Sequence, residues 1–404
     1  MAIPCRRFGR TELPMPLLSL GGMRFQQSWS ELIADQLTVA SQANLEATLA
    51  AAVAAGMHHV ETARHYGSSE LQLGKALRRF ADPNRILQTK LPPQEDSALF
   101  EAQLERSFEA LGVQRVDLLA VHGLNLPEHL EQTLRPGGCI EVLQRWRADG
   151  CIGHLGFSTH APTDLIVAAV ESDAFDFLNL HWYFIHQENQ AALEAARRRD
   201  MGVFLISPTD KGGHLHSPSK RLETLCSPLH PIVFNDLFCL SSPLVHTISV
   251  GAARPGDLDL HLQAVGLLDQ AEKLLPAVIE RLDRGLEERL GRPWLDSWQQ
   301  GLPPWQETPG QINLPLLLWL YNLLQGWELE SYCRARYGLL GNGGHWFPGR
   351  NANGFGGDPT TEGAVTEEQL LAVLDQSPWR QRIPGILREL RQQFSGEELQ
   401  RLSN

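Results

Sequence analysis

Glu61, Tyr66, Lys90 and His122 are the side chains of this sequence whose types and order suit proton transfer to a carbonyl oxygen. A phenol is a proton donor with a pKa of about 10, too weak for free exchange near neutrality. A lysine ammonium beside it favours the phenolate and so eases release of the proton. An imidazole in the same place can orient the substrate oxygen or join the proton path. A carboxylate can pair with the lysine, hold its rotamer and satisfy its buried charge. Glu61 closes the run His58-His59-Val60-Glu61, and Tyr66 follows in the loop Arg64-His65-Tyr66-Gly67-Ser68. Lys90 ends Arg85-Ile86-Leu87-Gln88-Thr89-Lys90, and His122 ends Val116-Asp117-Leu118-Leu119-Ala120-Val121-His122.

Each of the four stands where a short apolar run gives way to a loop, so the fold must bring the ends of several strands together. Apolar runs at 17–21, 57–61, 86–90, 116–122, 152–157, 177–181, 203–207 and 247–250 read as strands. Helical patterns lie between them at 45–55, 69–79, 97–111, 139–148, 163–171 and 189–199. Eight strands alternating with helices predict a parallel barrel, whose C-terminal strand ends converge on one face. An open doubly wound sheet is the competing fold, but no Gly-x-Gly-x-x-Gly follows the first strand. Residues 7–13 predict a hairpin ahead of the barrel. Residues 209–231, rich in Gly, His, Ser and Pro, read as a long insertion that is either a lid or a surface loop.

The motifs resemble those of the aldo-keto reductases over residues 1–265. Leu20-Gly21-Gly22-Met23-Arg24-Phe25 is similar to the family's glycine turn after the first strand, and Glu61-Thr62-Ala63 with Tyr66-Gly67-Ser68-Ser69-Glu70 to its Asp-Thr-Ala…Tyr-Gly-x-Ser-Glu motif. Lys90, Val121-His122, Gly156-Phe157-Ser158 and Ile248-Ser249-Val250-Gly251-Ala252 follow in family order. The resemblance implies a (β/α)8 TIM barrel that reduces an aldehyde, ketone or quinone-like carbonyl with NADPH. Tyr66 would give the proton, with Lys90, His122 and Glu61 around it. The family uses aspartate where this chain has Glu61, which moves the carboxylate outward by about 1 Å.

The resemblance also implies cofactor contacts. Gly22 and Met23 belong to the first turn. Ser158 matches the serine at the nicotinamide carboxamide, Thr159 stands where asparagine is common, and Asn179 stands in the place of a glutamine. Ser207 and Lys211 follow the seventh strand; Gly251 and Arg254 follow the eighth and lead into a helix whose N-terminal amides can hold a phosphate. Arg254 is the candidate partner for a 2′-phosphate, which favours NADPH over NADH. His261 stands where an asparagine near the adenine is expected.

The run from Tyr337 to Gly349 resembles the tail of the branch that carries a C-terminal ferredoxin-like domain. Each iron–sulfur cluster of that branch needs about four thiolates. Cys333 is the only cysteine after residue 239, and neither 294–315 nor 351–361 contains one, so no iron–sulfur cluster is expected. Seven of the ten tryptophans lie beyond residue 265 and can fill volume that a cluster would occupy. His345-Trp346-Phe347-Pro348 is expected to pack the tail against the barrel. No Cys or His pair has the spacing of a zinc site, so no metal is expected.

The 404 residues divide naturally into a barrel at 1–265 and a smaller, mainly helical, tryptophan-rich C-terminal domain at 266–404. A net charge of −12 argues against nucleic acid as a general partner. No stretch reaches the length of a membrane span, and six unpaired-looking cysteines indicate reduced thiols. The opening Met1-Ala2-Ile3-Pro4-Cys5-Arg6-Arg7 lacks a basic-then-apolar layout, which predicts a cytoplasmic protein. A small-molecule carbonyl is the expected partner, and the sequence is silent on oligomeric state. The alternative function is a regulatory or interaction module that holds the cofactor with little or no catalysis, favoured by Glu61 and Asn179 and opposed by Tyr66, Lys90 and His122.

Overall fold

The computed structural model describes residues 3–80, 82–341, 347–356 and 364–395. The chain forms two compact units, one made of Met1–Gly212 with Ile232–Leu275 and the other of Gly213–Pro231 with Pro276–Asn404. The first unit opens with an antiparallel hairpin of β1 (Cys5–Arg7) and β2 (Pro14–Pro16). Eight parallel strands follow: β3 (Leu18–Gly21), β4 (His59–Glu61), β5 (Ile86–Leu91), β6 (Val116–His122), β7 (Ile152–Ser158), β8 (Phe177–Leu180), β9 (Gly202–Leu205) and β10 (Thr247–Val250). They pair in sequence order, and β10 closes the ring between β9 and β3.

The strands read as continuous apolar runs because both their faces are covered, the outer one by helices and the inner one by the other strands. The helices show why the chain leaves the sheet where it does. Asp96 caps the helix Ser97–Leu111 by accepting the Ala98 N–H, and Gly112 ends it in the left-handed conformation. The helix Val39–Ala55 starts well before the predicted residue 45. Thr38 caps it, but its first turn, Val39-Ala40-Ser41-Gln42, leaves Val39 and Ala40 exposed and carries no apolar periodicity.

Alternate residues of each strand face the barrel interior, and their character changes along the axis. Phe8, Met15, Ile86, Leu118, Ala120, Phe177 and Phe204 form one apolar cluster, so the hairpin residues Phe8 and Met15 stopper the N-terminal end. A polar layer comes next: His59 Nδ1 bonds Ser19 Oγ at 2.6 Å, and that hydroxyl bonds Thr247 Oγ1 at 2.7 Å. Two residues further along those strands stand Gly21, Glu61 and Ser249, and towards the C-terminal ends of β5 to β8 stand Lys90, His122, Ser158 and Asn179. The C-terminal end of the interior is therefore lined with polar groups that no apolar core requires.

The second unit is helical. Its helices include Leu314–Trp327, Glu330–Leu339 and Ile383–Phe394, and the helix Ala271–Leu290 enters it at Pro276. Trp294 is 1 % exposed and donates its indole N–H to Asn322 Oδ1 at 2.7 Å; Trp327 donates to Leu282 O at 2.9 Å. Residues 213–231 contain the helix Lys220–Cys226, capped by Ser219, where the sequence read only an insertion. Arg221 and Arg281 tie this segment to the unit through backbone carbonyls of Gly326 and Leu225. Residues 342–346, with His345 and Trp346, lie outside the described residues, as do 357–361 of the second expected cysteine stretch. No helix among the described residues is long and apolar enough to cross a membrane, and no group of three or more His, Cys, Asp or Glu among them could hold a metal ion.

Candidate active site

Glu61 at the end of β4 and Lys90 on β5 form an ion pair inside the barrel, 3 % and 1 % exposed. Lys90 Nζ also donates to Thr62 O at 2.9 Å. The other carboxylate oxygen of Glu61 accepts from Ser249 Oγ of β10 at 3.3 Å. Gly21 shows how the longer acid fits. A Cβ built there would stand 2.6 Å from Ser249 Oγ and 3.2 Å from Glu61 Oε1. The bare backbone of β3 leaves the volume in which the extra methylene is seated.

Tyr66 sits in a turn closed on both sides, its N–H on Ala63 O and its carbonyl accepting the Ser69 N–H, both at 3.0 Å. Lys90 Nζ lies 4.9 Å from the centre of the phenol ring. The His122 ring meets the same ring edge-on, with centres 5.6 Å apart. Burial, and then the Glu61 carboxylate, push the Tyr66 phenol well above its usual value. This corrects the expectation that Lys90 favours the phenolate in the resting site: its charge is matched by Glu61, and desolvation dominates. Burial also holds His122 well below its usual range, helped by the charges of Lys90, His65 and Lys211. The resting site thus presents a protonated phenol, a neutral imidazole and a neutralised ion pair.

Gly22 follows β3, and its N–H bonds Glu61 O at 2.8 Å. Ser69 Oγ donates to Gly22 O at 2.9 Å and pairs with Thr62 Oγ1 at 2.7 Å. A Cβ at Gly22 would come within 2.7 Å of Glu61 O, so this close approach requires glycine. Met23 continues the turn, half-buried. Across the barrel, His122 is in register with Ser158, and Ser158 with Asn179. Ser158 Oγ accepts the Gly123 N–H at 3.2 Å. Both polar atoms of the Asn179 amide are buried without a hydrogen-bond partner. A buried amide with donor and acceptor both unmet is costly, and a planar carboxamide is the complement that satisfies it. These residues fit the nicotinamide end of the cofactor.

The other predicted contacts differ in kind. Thr159 gives its hydroxyl to Leu124 O at 2.7 Å and accepts the Ala161 N–H, so it shapes its own loop. Ser207 has a left-handed backbone and accepts the Lys211 N–H at 2.9 Å, while Lys211 Nζ lies 3.2 Å from His160 Nδ1. Gly251 follows β10, where a Cβ would stand 2.9 Å from Arg24 Cδ. Arg254 is 78 % exposed and pairs with Asp257 at 3.1 Å, and the same carboxylate takes the Ala253 N–H. An acid thus already occupies the start of the 3-10 turn Pro255–Leu258 where the sequence predicted a phosphate. His261 is buried against Asp236 at 2.5 Å, tying two helices together.

Residues 17–248, more than half of the chain, match the model of the Aldo/keto reductase family. The chain belongs to that family. It is accordingly a nicotinamide-dependent oxidoreductase. It is 24 % identical over 278 residues to a D-threo-aldose 1-dehydrogenase from a Pseudomonas species, covering 55 % of this chain and 83 % of that protein. An aldo-keto reductase from Mycobacterium sp. (strain JLS) is 32 % identical over 186 residues, 41 % of this chain and 63 % of the relative. An aldo-keto reductase from Klebsiella pneumoniae in complex with NADPH shares the fold at TM-score 0.53, with 18 % identity over 68 % of this chain and 96 % of that one.

Several side chains of this aldo/keto reductase site carry no legible sequence signal. Ser249 is an ordinary strand serine until β10 closes the ring beside β3. His181 Nε2 meets His160 Nδ1, and His181 Nδ1 meets the Tyr183 hydroxyl, both at 2.6 Å, while that hydroxyl donates to Ile206 O. These residues come from loops and strands that adjoin only after the barrel forms.

The buried histidines make the reductase acid-labile. His59 is fully buried, and desolvation followed by Lys90 lowers its pKa to about 3; His122 is shifted the same way. Unfolded, both take a proton near pH 6.5, so below that value the unfolded chain binds more protons and stability falls with pH. Glu70, whose carboxyl burial raises, acts in the opposite direction, since its folded form binds a proton more readily than the unfolded one. Chemical denaturation at pH 5.5 should show about 2 kcal/mol less stability than at pH 7.5, since each unmatched proton contributes about 1.4 kcal/mol per pH unit. Equal stability at the two values contradicts the assignment of neutral, buried imidazoles.

Proposed function

We propose that this enzyme is a cytoplasmic NADPH-dependent reductase of aldehydes, ketones or quinone-like carbonyls, with Tyr66 as proton donor. The observation that carries the reading is geometric: the buried Tyr66 phenol has Lys90 Nζ 4.9 Å from its ring centre and the His122 ring edge-on at 5.6 Å. NADPH, when bound, supplies the hydride. Asn179 and Ser158 hold its carboxamide, Gly22, Met23, Ser207, Lys211 and Gly251 line its length, and Thr159 shapes the loop beside it. His122 orients the carbonyl oxygen by donating an N–H as a neutral imidazole. Tyr66 then gives its proton to that oxygen as negative charge develops there. The phenolate left behind gains from Lys90, whose position Glu61 and Thr62 fix in advance. A preset cation needs no rearrangement at the moment of proton transfer.

Arg254 supports the choice of NADPH because its exposed guanidinium needs only to exchange the Asp257 carboxylate for a 2′-phosphate. Fluorescence titration with NADPH and NADH, followed by consumption of the tighter-binding form with a panel of carbonyls, tests the reading. NADPH should bind more tightly, and Arg254→Ala should narrow the difference by roughly tenfold, about 1.4 kcal/mol. Saturable binding without consumption of the cofactor by any carbonyl overturns the reductase assignment.

A further inference from the structure

We propose that Asn235, on the helix Pro231–Ser241, is a positioning residue for NADPH, which it serves by holding the loop from Ser207 to Gly212 in shape. The proposal rests on the reading above, in which Ser207 and Lys211 line the bound nucleotide. Asparagine is a poor residue for a helix interior, because its amide competes for backbone hydrogen bonds. Here it stands inside a helix of 11 residues and is 2 % exposed. What the amide grips accounts for its place.

That amide spans two loops at the C-terminal end of the barrel. Its Nδ2 donates to Pro208 O at 3.2 Å, in the loop after β9, and its Oδ1 accepts the Phe184 N–H at 3.3 Å, in the loop after β8. The gripped carbonyl follows Ser207, whose left-handed backbone, with φ of 54°, is strained for a residue that carries a side chain. Such a conformation persists only where its surroundings over-determine it. Ser207 O accepts the Lys211 N–H at 2.9 Å, and a Cβ at Gly212 would run into Pro208 O, so the loop is tightly coiled on itself. The same Cβ would stand 3.1 Å from Asn235 Nδ2, so the amide also packs against the end of the coil.

The helix that carries Asn235 is itself fixed by its neighbours. Phe234 meets Phe184 edge-on with ring centres 4.9 Å apart, and Phe238 stacks on Trp182 at the same distance. The residue after Asn235, the fully buried Asp236, pairs with His261 of the helix Asp259–Gly266 that follows Arg254. Neighbouring residues of a helix point about 100° apart, so one helix reaches the loops after β8 and β9 and the helix beyond β10. Asn235 thus ties the strained loop to a rigid bracket. A loop held in its binding shape beforehand spares the cofactor the cost of ordering it.

The test compares the wild type, Asn235→Ala and Asn235→Asp in three measurements. These are Kd for NADPH by fluorescence titration, kcat at saturating NADPH with a carbonyl from the panel above, and amide hydrogen exchange over residues 207–212 without cofactor. Asn235→Asp keeps the shape and the acceptor for the Phe184 N–H but cannot donate to Pro208 O. It therefore cuts the tether alone, and it answers the question if the alanine variant folds poorly. Both variants should exchange faster at 207–212 and bind NADPH about tenfold more weakly, as when the loop holds its binding shape only a tenth of the time. At saturation kcat should move by less than about twofold, since Tyr66, Lys90 and His122 are unaltered. Unchanged Kd or unchanged exchange in Asn235→Asp overturns the inference. So does a fall in kcat as large as the rise in Kd, which makes Asn235 a residue of general folding. Wild-type protein that binds no NADPH overturns the reductase reading itself, and the inference with it.

Discussion

Tyr66→Phe should lower kcat for carbonyl reduction by about 10²–10⁴, the range expected when a positioned proton donor is lost. The substitution removes one hydroxyl and keeps the ring that packs edge-on against His122 and beneath Lys90. Asn179, Ser158 and Gly22 are untouched, so NADPH affinity should change by no more than about twofold. No other group in the site readily takes over. His122 is held neutral by burial and by the cations near it, so it carries no surplus proton at neutral pH. The Tyr66 phenol is pushed well above its usual range, so it stays protonated through neutral and mildly alkaline pH. The wild-type rate of reduction should therefore be nearly flat between pH 6.5 and about 9, without the alkaline loss of a donor tuned towards neutrality. Turnover by Tyr66→Phe equal to wild type removes the tyrosine from the chemistry, and a wild-type rate that falls between pH 7 and about 8.5 contradicts its electrostatic setting.

The barrel was legible because a parallel sheet buried on both faces leaves an unusually plain trace, short apolar runs each followed by an amphipathic helix. Val116–His122 and Ser97–Leu111 appear in the structure as the sequence predicts, the latter because Asp96 and Gly112 mark its two ends. The first turn of the helix Val39–Ala55 lacks periodicity because its apolar residues Val39 and Ala40 face solvent, and the helix Lys220–Cys226 lies in a Gly- and Pro-rich stretch. The candidate site was legible in its residue types and their order, because strand ends in such a fold share one face.

What lay beyond the sequence is geometry between distant positions. The seating of Glu61 depends on Gly21 and on Ser249, a partner 188 residues away, and the carboxylate tolerated there follows from volume that only ring closure creates. The electrostatics of Tyr66 were equally hidden. A lysine near a tyrosine favours the phenolate, but a lysine already matched by a carboxylate leaves desolvation in control, and the choice turns on distances. Asn179 reads as a shortened glutamine; its unmet donor and acceptor became visible only once its neighbours were in place.

The Glu61–Lys90 pair allows stability and catalysis to be separated. Lys90→Met leaves the Glu61 carboxylate buried, with the Ser249 hydroxyl as its remaining side-chain partner. Breaking a buried pair in this way costs about 3–5 kcal/mol, because the desolvation of one charge is no longer offset by the other. The double variant Glu61→Gln with Lys90→Met removes both charges from the same volume. It should recover most of the lost stability in urea denaturation, since a neutral amide can still accept from Ser249 and no Coulomb attraction is needed to balance a buried ion. Activity should behave differently. The phenolate formed when Tyr66 gives up its proton still lacks a cation, so kcat in the double variant should stay as low as in Lys90→Met. Stability regained without turnover assigns Lys90 to the chemistry of Tyr66, whereas recovery of both reduces it to a structural ion.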